Sequence, residues 1–177
     1  LTIYRGCNQR IPEYHSWVAL NRGMDIQSYV ELGCGSASFL QDAGVPKIIT
    51  VDLLPNGHPT IEHIVGDTHS LEILHDVLNR LGDRPECVFI DADHSYEGVK
   101  ADFDMWYPAT SRLIGFHDIL MPGVKEYWNE ISLQYPSIEI IARDCDSAQR
   151  WQHGGGPYPD GKVNCGGIGV IFKEDMT

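Results

Sequence analysis

The sequence predicts an α/β protein with a doubly wound, mostly parallel sheet that finishes in an antiparallel strand pair. Three observations predict it. Short apolar runs rich in β-branched residues alternate with segments of helical spacing. Acidic residues fall at or just past the ends of five of these runs, where parallel sheets bind their ligands. The last two runs are joined by HGGGPYPDGKVNCGG (153–167), rich in turn formers and without helical period, so they are expected to pair antiparallel.

The strands expected, in order, are SYVEL (28–32), KIITVD (47–52), IEHIV (61–65), CVFID (87–91), RLIGFHD (112–118), IEIIARD (138–144) and GIGVIFK (167–173). Helical spacing marks SASFLQDAG (36–44), LEILHDVLNRLG (71–82) and YEGVKADFDMWYP (96–108), with Gly82 and Pro108 as stops. Tyr14 to Asn21 is weakly helical, and residues 1–23 are expected to cover the sheet or the site. At 177 residues the chain is expected to form one domain around one core. It starts at Leu1 rather than Met, so a truncated N-terminus and an upstream targeting segment stay open.

Composition narrows the partners. A net charge of −12 argues against nucleic acid, whose phosphates are held by clustered Lys and Arg. The acid excess serves solubility or suits small neutral or cationic ligands. No apolar run approaches the roughly 18 residues of a membrane span, so no membrane partner is expected. Five cysteines without a C-x-x-C pair fit a reducing compartment, and the expected location is the cytoplasm. Self-association stays open.

VELGCGSASFL (30–40) places Gly33 and Gly35 between a strand and a helix. Glycines there allow a tight turn and let a ligand approach the backbone and the helix start. A dinucleotide fingerprint wants a third glycine where this chain has Ser38, which weakens a nicotinamide reading. Asp52 then closes the second strand, placed to accept hydrogen bonds from ribose hydroxyls. GDTHS (66–70) offers Asp67 and Thr68 as contacts at a base edge, although both residue types also serve as helix caps. Together, E-L-G-C-G, Asp52 and G-D-T-H resemble the S-adenosylmethionine site of class I methyltransferases. That resemblance implies a Rossmann-like fold and a cofactor site made of Glu31, Gly33, Gly35, Asp52, Asp67, Thr68 and Asp91.

The fourth strand ends in D-A-D-H-S-Y-E-G, followed by K-A-D-F-D-M-W-Y-P and then G-F-H-D. This block resembles methyltransferases that act on hydroxyl groups with a divalent metal, nearest to the macrolide-sugar O-methyltransferase and cephalosporin-hydroxylase-like group. The resemblance implies Asp91, His117 and Asp118 as metal ligands, His94 as general base, Mg²⁺ or Mn²⁺ as the ion, and a small-molecule hydroxyl acceptor. Physically, neighbouring parallel strands end about 4.8 Å apart, so side chains at their tips can converge on one ion. The pair His117–Asp118 departs from the usual two acids or Asp-Asn, and an imidazole there shifts preference from Mg²⁺ toward Mn²⁺, Fe²⁺ or Zn²⁺ unless His117 stays unligated. Asp93 is expected to cap the helix that begins near Ser95. Trp106, Tyr107 and Trp128 are expected in the core rather than in an acceptor pocket, and the 153–167 loop is expected to be a lid. A non-catalytic adenosine-binding protein, or a metal-independent enzyme on the same fold, remains the alternative; the absence of G-x-S-x-G argues against an α/β-hydrolase.

Overall fold

In the computed structural model, which describes residues 11–34, 43–55, 61–142 and 166–173, alternate residues of the buried strands pack on opposite faces of the sheet and divide the core in two. β1 (Ser28–Leu32), β2 (Lys47–Asp52), β3 (Glu62–Val65), β4 (Cys87–Ile90), β5 (Leu113–Phe116), β6 (Ser137–Ile140) and β7 (Ile168–Phe172) form one seven-stranded sheet in the order β3-β2-β1-β4-β5-β7-β6. The first five in that row run parallel, and β7 pairs antiparallel with both β5 and β6. This is the Rossmann-like arrangement with an antiparallel last strand. Its burial explains the inner position of β7: all but its last residue are buried, whereas β6 has two exposed central residues between half-buried ends and suits the edge.

Val30, Leu32, Ile49, Val51, Val88, Ile90, Ile114 and Phe116 face α2 (Leu71–Leu81), α3 (Tyr96–Ala109) and α4 (Pro122–Ile131). On the opposite face Tyr29, Cys87, Phe89 and Leu113 pack against Tyr14, Trp17 and Val18 of α1 (Ile11–Gly23). Trp17 and Trp106 are fully buried and Trp128 nearly so, and each such side chain contributes roughly 1.5–3 kcal/mol or more on burial. The core expectation for Trp106 and Trp128 therefore holds, and Tyr107 packs on Phe103 and Tyr135.

Local chemistry sets the helix ends. Gly82, at φ 77°, closes α2 in the left-handed conformation and returns its N–H to Leu78 O. α3 runs one residue past Pro108 rather than stopping there, because a proline in the last turn removes one ladder bond, and Thr110 N–H closes the end on Trp106 O and Tyr107 O. The cap of α3 is Ser95, whose hydroxyl accepts from Gly98 N–H at 3.0 Å; Asp93 instead accepts from Ser95 N–H at 2.9 Å, in a turn ahead of the helix. α4 is an element that the sequence reading missed. Pro122 opens it, and Val124, Tyr127, Trp128 and Ile131 are buried at spacings that carry a helical signal. The expected helix over 36–44 falls mostly outside the described residues, as do Gly35 and nearly all of the 153–167 loop.

Candidate functional site

The strand order reverses between β1 and β4, and the candidate site lies at their carboxyl ends. Gly33 follows β1 at φ 79°, and a Cβ there would run into Asp91 O and the Ala92 backbone. Only glycine lets the turn after β1 lie against the residues after β4. Gly33 N–H donates to Val51 O at 2.8 Å and Asp91 N–H to Leu32 O at 2.8 Å, which fixes three strand ends in one frame.

A cleft of about 380 Å³ opens beside this turn, lined by Gly33, Asp52, Asp67, His69, Ala92 and Asp93 among others. Asp52 ends β2, and its carboxylate accepts Leu54 N–H at 2.9 Å. Asp67 accepts His69 N–H at 2.9 Å through Oδ1. Thr68 also borders the cleft but is largely buried, and its carbonyl is taken by the indole N–H of Trp106 at 2.9 Å. Glu31 does not line the cleft. It is buried on the α1 side of the sheet, where the Tyr29 hydroxyl donates to it at 2.8 Å.

The sequence reading named no role for His69 or Asp102, and the structure joins them. His69 Nε2 lies 3.3 Å from Asp102 Oδ1 and 3.3 Å from Gly98 O. Asp102 is fully buried, and that burial, opposed by Thr68 and His69, pushes its carboxyl up to about 6. The signal was available: Asp102 interrupts the apolar face Val99, Phe103 and Trp106, where a carboxylate needs a reason.

Next to the cleft, a second cluster gathers at the ends of β4 and β5. Asp91 Oδ1 lies 2.7 Å from His117 Nδ1 and 3.2 Å from His94 Nε2. Asp118 Oδ2 lies 3.5 Å from His117 Nδ1 and 3.6 Å from His94 Nε2. Asp118 holds this position at φ 53°, a left-handed conformation that Asp tolerates, while its Oδ1 accepts Gly166 N–H next to β7. Burial alone would lower His117, but Asp91 and then Asp118 outweigh it and push the imidazole up to about 9. Burial raises Asp91, yet His117 and His94 leave it below the usual carboxylate range. The hydrogen bond to Asp91 likewise raises His94.

This cluster fits a divalent cation. One ligand atom each from Asp91, His94 and His117 lies within 4.8 Å of the others, the span of donors around an ion with bonds of about 2.0–2.6 Å. Of the expected ligands, Asp91 and His117 fall in this group together with His94, whereas Asp118 approaches the two imidazoles without belonging to it.

No protein-family model and no curated protein matches the chain. Solved structures do. The chain superposes on the O-methyltransferase from Bacillus cereus in complex with S-adenosylhomocysteine with a TM-score of 0.60 and 13% identity, over 93% of this chain and 82% of that one. The fold is that of class I methyltransferases. TomG, an O-methyltransferase from Streptomyces achromogenes in complex with S-adenosylmethionine, gives 0.58 at 14% identity over 93% and 81% of the two chains. MycE, a methyltransferase of the mycinamycin pathway in complex with Mg and S-adenosylhomocysteine, gives 0.56 at 17% identity, over 91% of this chain and 48% of that one. The chain thus spans about half the length of MycE or less. Among the described residues no helix is long and apolar enough to cross a membrane.

Proposed function

We propose that the protein transfers a methyl group from S-adenosylmethionine to a hydroxyl group of a small molecule, assisted by a divalent metal. The observation that carries this is the placement of the Asp91, His94, His117 and Asp118 cluster directly beside the Gly33 turn and its cleft. In this reading Asp52 and Asp67 hold the adenosine, and Asp91, His117 and Asp118 hold Mg²⁺ or Mn²⁺. The cation supplies Lewis-acid assistance, which lowers the pKa of a hydroxyl group beside it.

His94 accepts the hydroxyl proton, and the charges of Asp91 and Asp118 beside its Nε2 favour the imidazolium it becomes. The acceptor oxygen forms its bond to the methyl carbon as the carbon–sulfur bond breaks, leaving neutral S-adenosylhomocysteine sulfur. Much of the acceleration comes from holding the two reactants in line. A second reading makes His94, in place of Asp118, a ligand beside Asp91 and His117, favoured by its place in the same 4.8 Å group.

The test combines titration with S-adenosylhomocysteine, metal analysis of the purified protein, and mass-spectrometric detection of methyl transfer to a panel of hydroxylated compounds. Binding of S-adenosylhomocysteine together with chelator-sensitive turnover supports the proposal. Binding without turnover on any hydroxyl acceptor favours a non-catalytic adenosine-binding protein, and turnover unaffected by chelator removes the metal.

A further inference from the structure

We infer that Gly123, in the first turn of α4, is a positioning residue for His94: without a side chain there, the helix lies against the His94–Tyr96 backbone and holds the imidazole beside Asp91 and Asp118. The catalytic half of this inference rests on the function proposed above. Glycine in a helix costs stability relative to alanine, so its presence needs a reason. Its φ is not positive, so backbone conformation does not supply one. The close approach does. A Cβ on Gly123 would run into His94 O and stand 2.9 Å from Tyr96 N and 3.1 Å from Ser95 C, all backbone atoms that cannot rotate away.

The other members of the cluster are set by the sheet. Asp91 N–H donates to Leu32 O at 2.8 Å, His117 N–H donates to Ile90 O at 3.0 Å, and Asp118 Oδ1 accepts Gly166 N–H. His94 instead sits in the turn between β4 and α3, flanked by the exposed Asp93 and Ser95. α4 is the wall behind that turn. Val124, Tyr127, Trp128 and Ile131 anchor the helix in the core, the Tyr96 hydroxyl donates to Glu130 at 2.9 Å, and the Tyr96 ring meets that of Tyr127 edge-on at 5.6 Å. With the helix anchored, an added methyl displaces the turn by about 1 Å before ordinary contact distances are reached. His94 then loses its alignment while the groups held by the strand ends keep theirs.

The experiment is Gly123→Ala in the full chain, with folding checked by circular dichroism. Its first readout needs no acceptor: carbethoxylation of His94 by diethyl pyrocarbonate, localised by peptide mass spectrometry, is expected to run several-fold faster than in the wild type, with S-adenosylhomocysteine affinity kept. Turnover on a hydroxyl acceptor is expected to fall about 10²-fold in kcat with KM little changed, the cost of a misplacement of about 1 Å. In the His94→Ala background the same substitution should cost nothing further, which a general loss of structure would not reproduce. Unchanged labelling of His94 in folded Gly123→Ala overturns the inference, as does a turnover cost that persists in full without His94. If Gly123→Ala does not fold, Tyr96→Phe, which cuts the link to Glu130 without adding volume, is expected to speed His94 labelling in its place, and equal labelling there overturns the inference too. A wild type that binds no S-adenosylhomocysteine and methylates no acceptor overturns the function proposed above and leaves the labelling comparison to decide what Gly123 does.

Discussion

The ends of β1, β2 and β3 and the ends of β4 and β5 hold polar groups in different ways. On the first side the chain positions single carboxylates on turns. Asp52 and Asp67 accept N–H groups two residues ahead of them, and the glycine turn supplies backbone rather than side chains. On the second side four ionisable groups crowd one another, and each sets its neighbours' charge. The comparison teaches that a neutral, hydrogen-bonding ligand portion needs separated, oriented acceptors, whereas a cation needs donors pressed together. Pressed donors repel or protonate unless an ion or a proton lies between them.

The sharpest way to break the contrast is at His94. As a base it should slow methyl transfer by about 10²–10⁴-fold when changed to Ala, with metal content and S-adenosylhomocysteine affinity kept. Metal content falling together with activity would assign His94 as a ligand. Asp91→Asn should instead abolish divalent-ion binding, read by elemental analysis, with S-adenosylhomocysteine binding retained, because one anionic donor is lost from the crowded side alone. Loss of both ligands together would show the two sides to be one unit.

On the other side Gly33→Ala is expected to lower unfolding free energy by roughly 2–4 kcal/mol, combining a left-handed backbone with a collision against the residues after β4. A denaturant midpoint equal to that of the wild type would deny the close approach. Asp52→Ala should weaken S-adenosylhomocysteine by roughly 1.5–3 kcal/mol by calorimetry, for lost charge-assisted hydrogen bonds.

The smallest effect is a pH slope. Folding raises Asp102 to about 6, so the folded state binds more protons than the unfolded state between the ordinary carboxylate pKa and that value. Its contribution to stability therefore falls as pH rises through that window and is constant above it. Chemical denaturation from pH 4 to 7 should show this downward component in the wild type and a flatter profile in Asp102→Asn. Identical slopes would remove the burial effect from Asp102.

How much of this was legible follows from what each signal needs. β1 and β2 match their expected bounds, since a buried strand between turn formers is a local pattern. α4 was missed although its spacing was present, because it opens on Pro122 and Gly123, residue types that equally mark a turn, and is only ten residues long. Asp93 as cap was a sound choice by residue type, but Ser95 sits where the Gly98 N–H can be reached.

The sequence by itself determined the alternation of strand and helix, the glycine at the turn, and which strand ends carry Asp52, Asp67, Asp91 and Asp118, because period and residue type are properties of a short stretch of chain. Only the tertiary structure decided that β7 enters between β5 and β6, that Glu31 turns to the α1 side, and that Asp102 reaches His69 from a different element. Each depends on which surfaces pack together, and the distance between residues far apart in the chain is fixed by packing rather than by local preference.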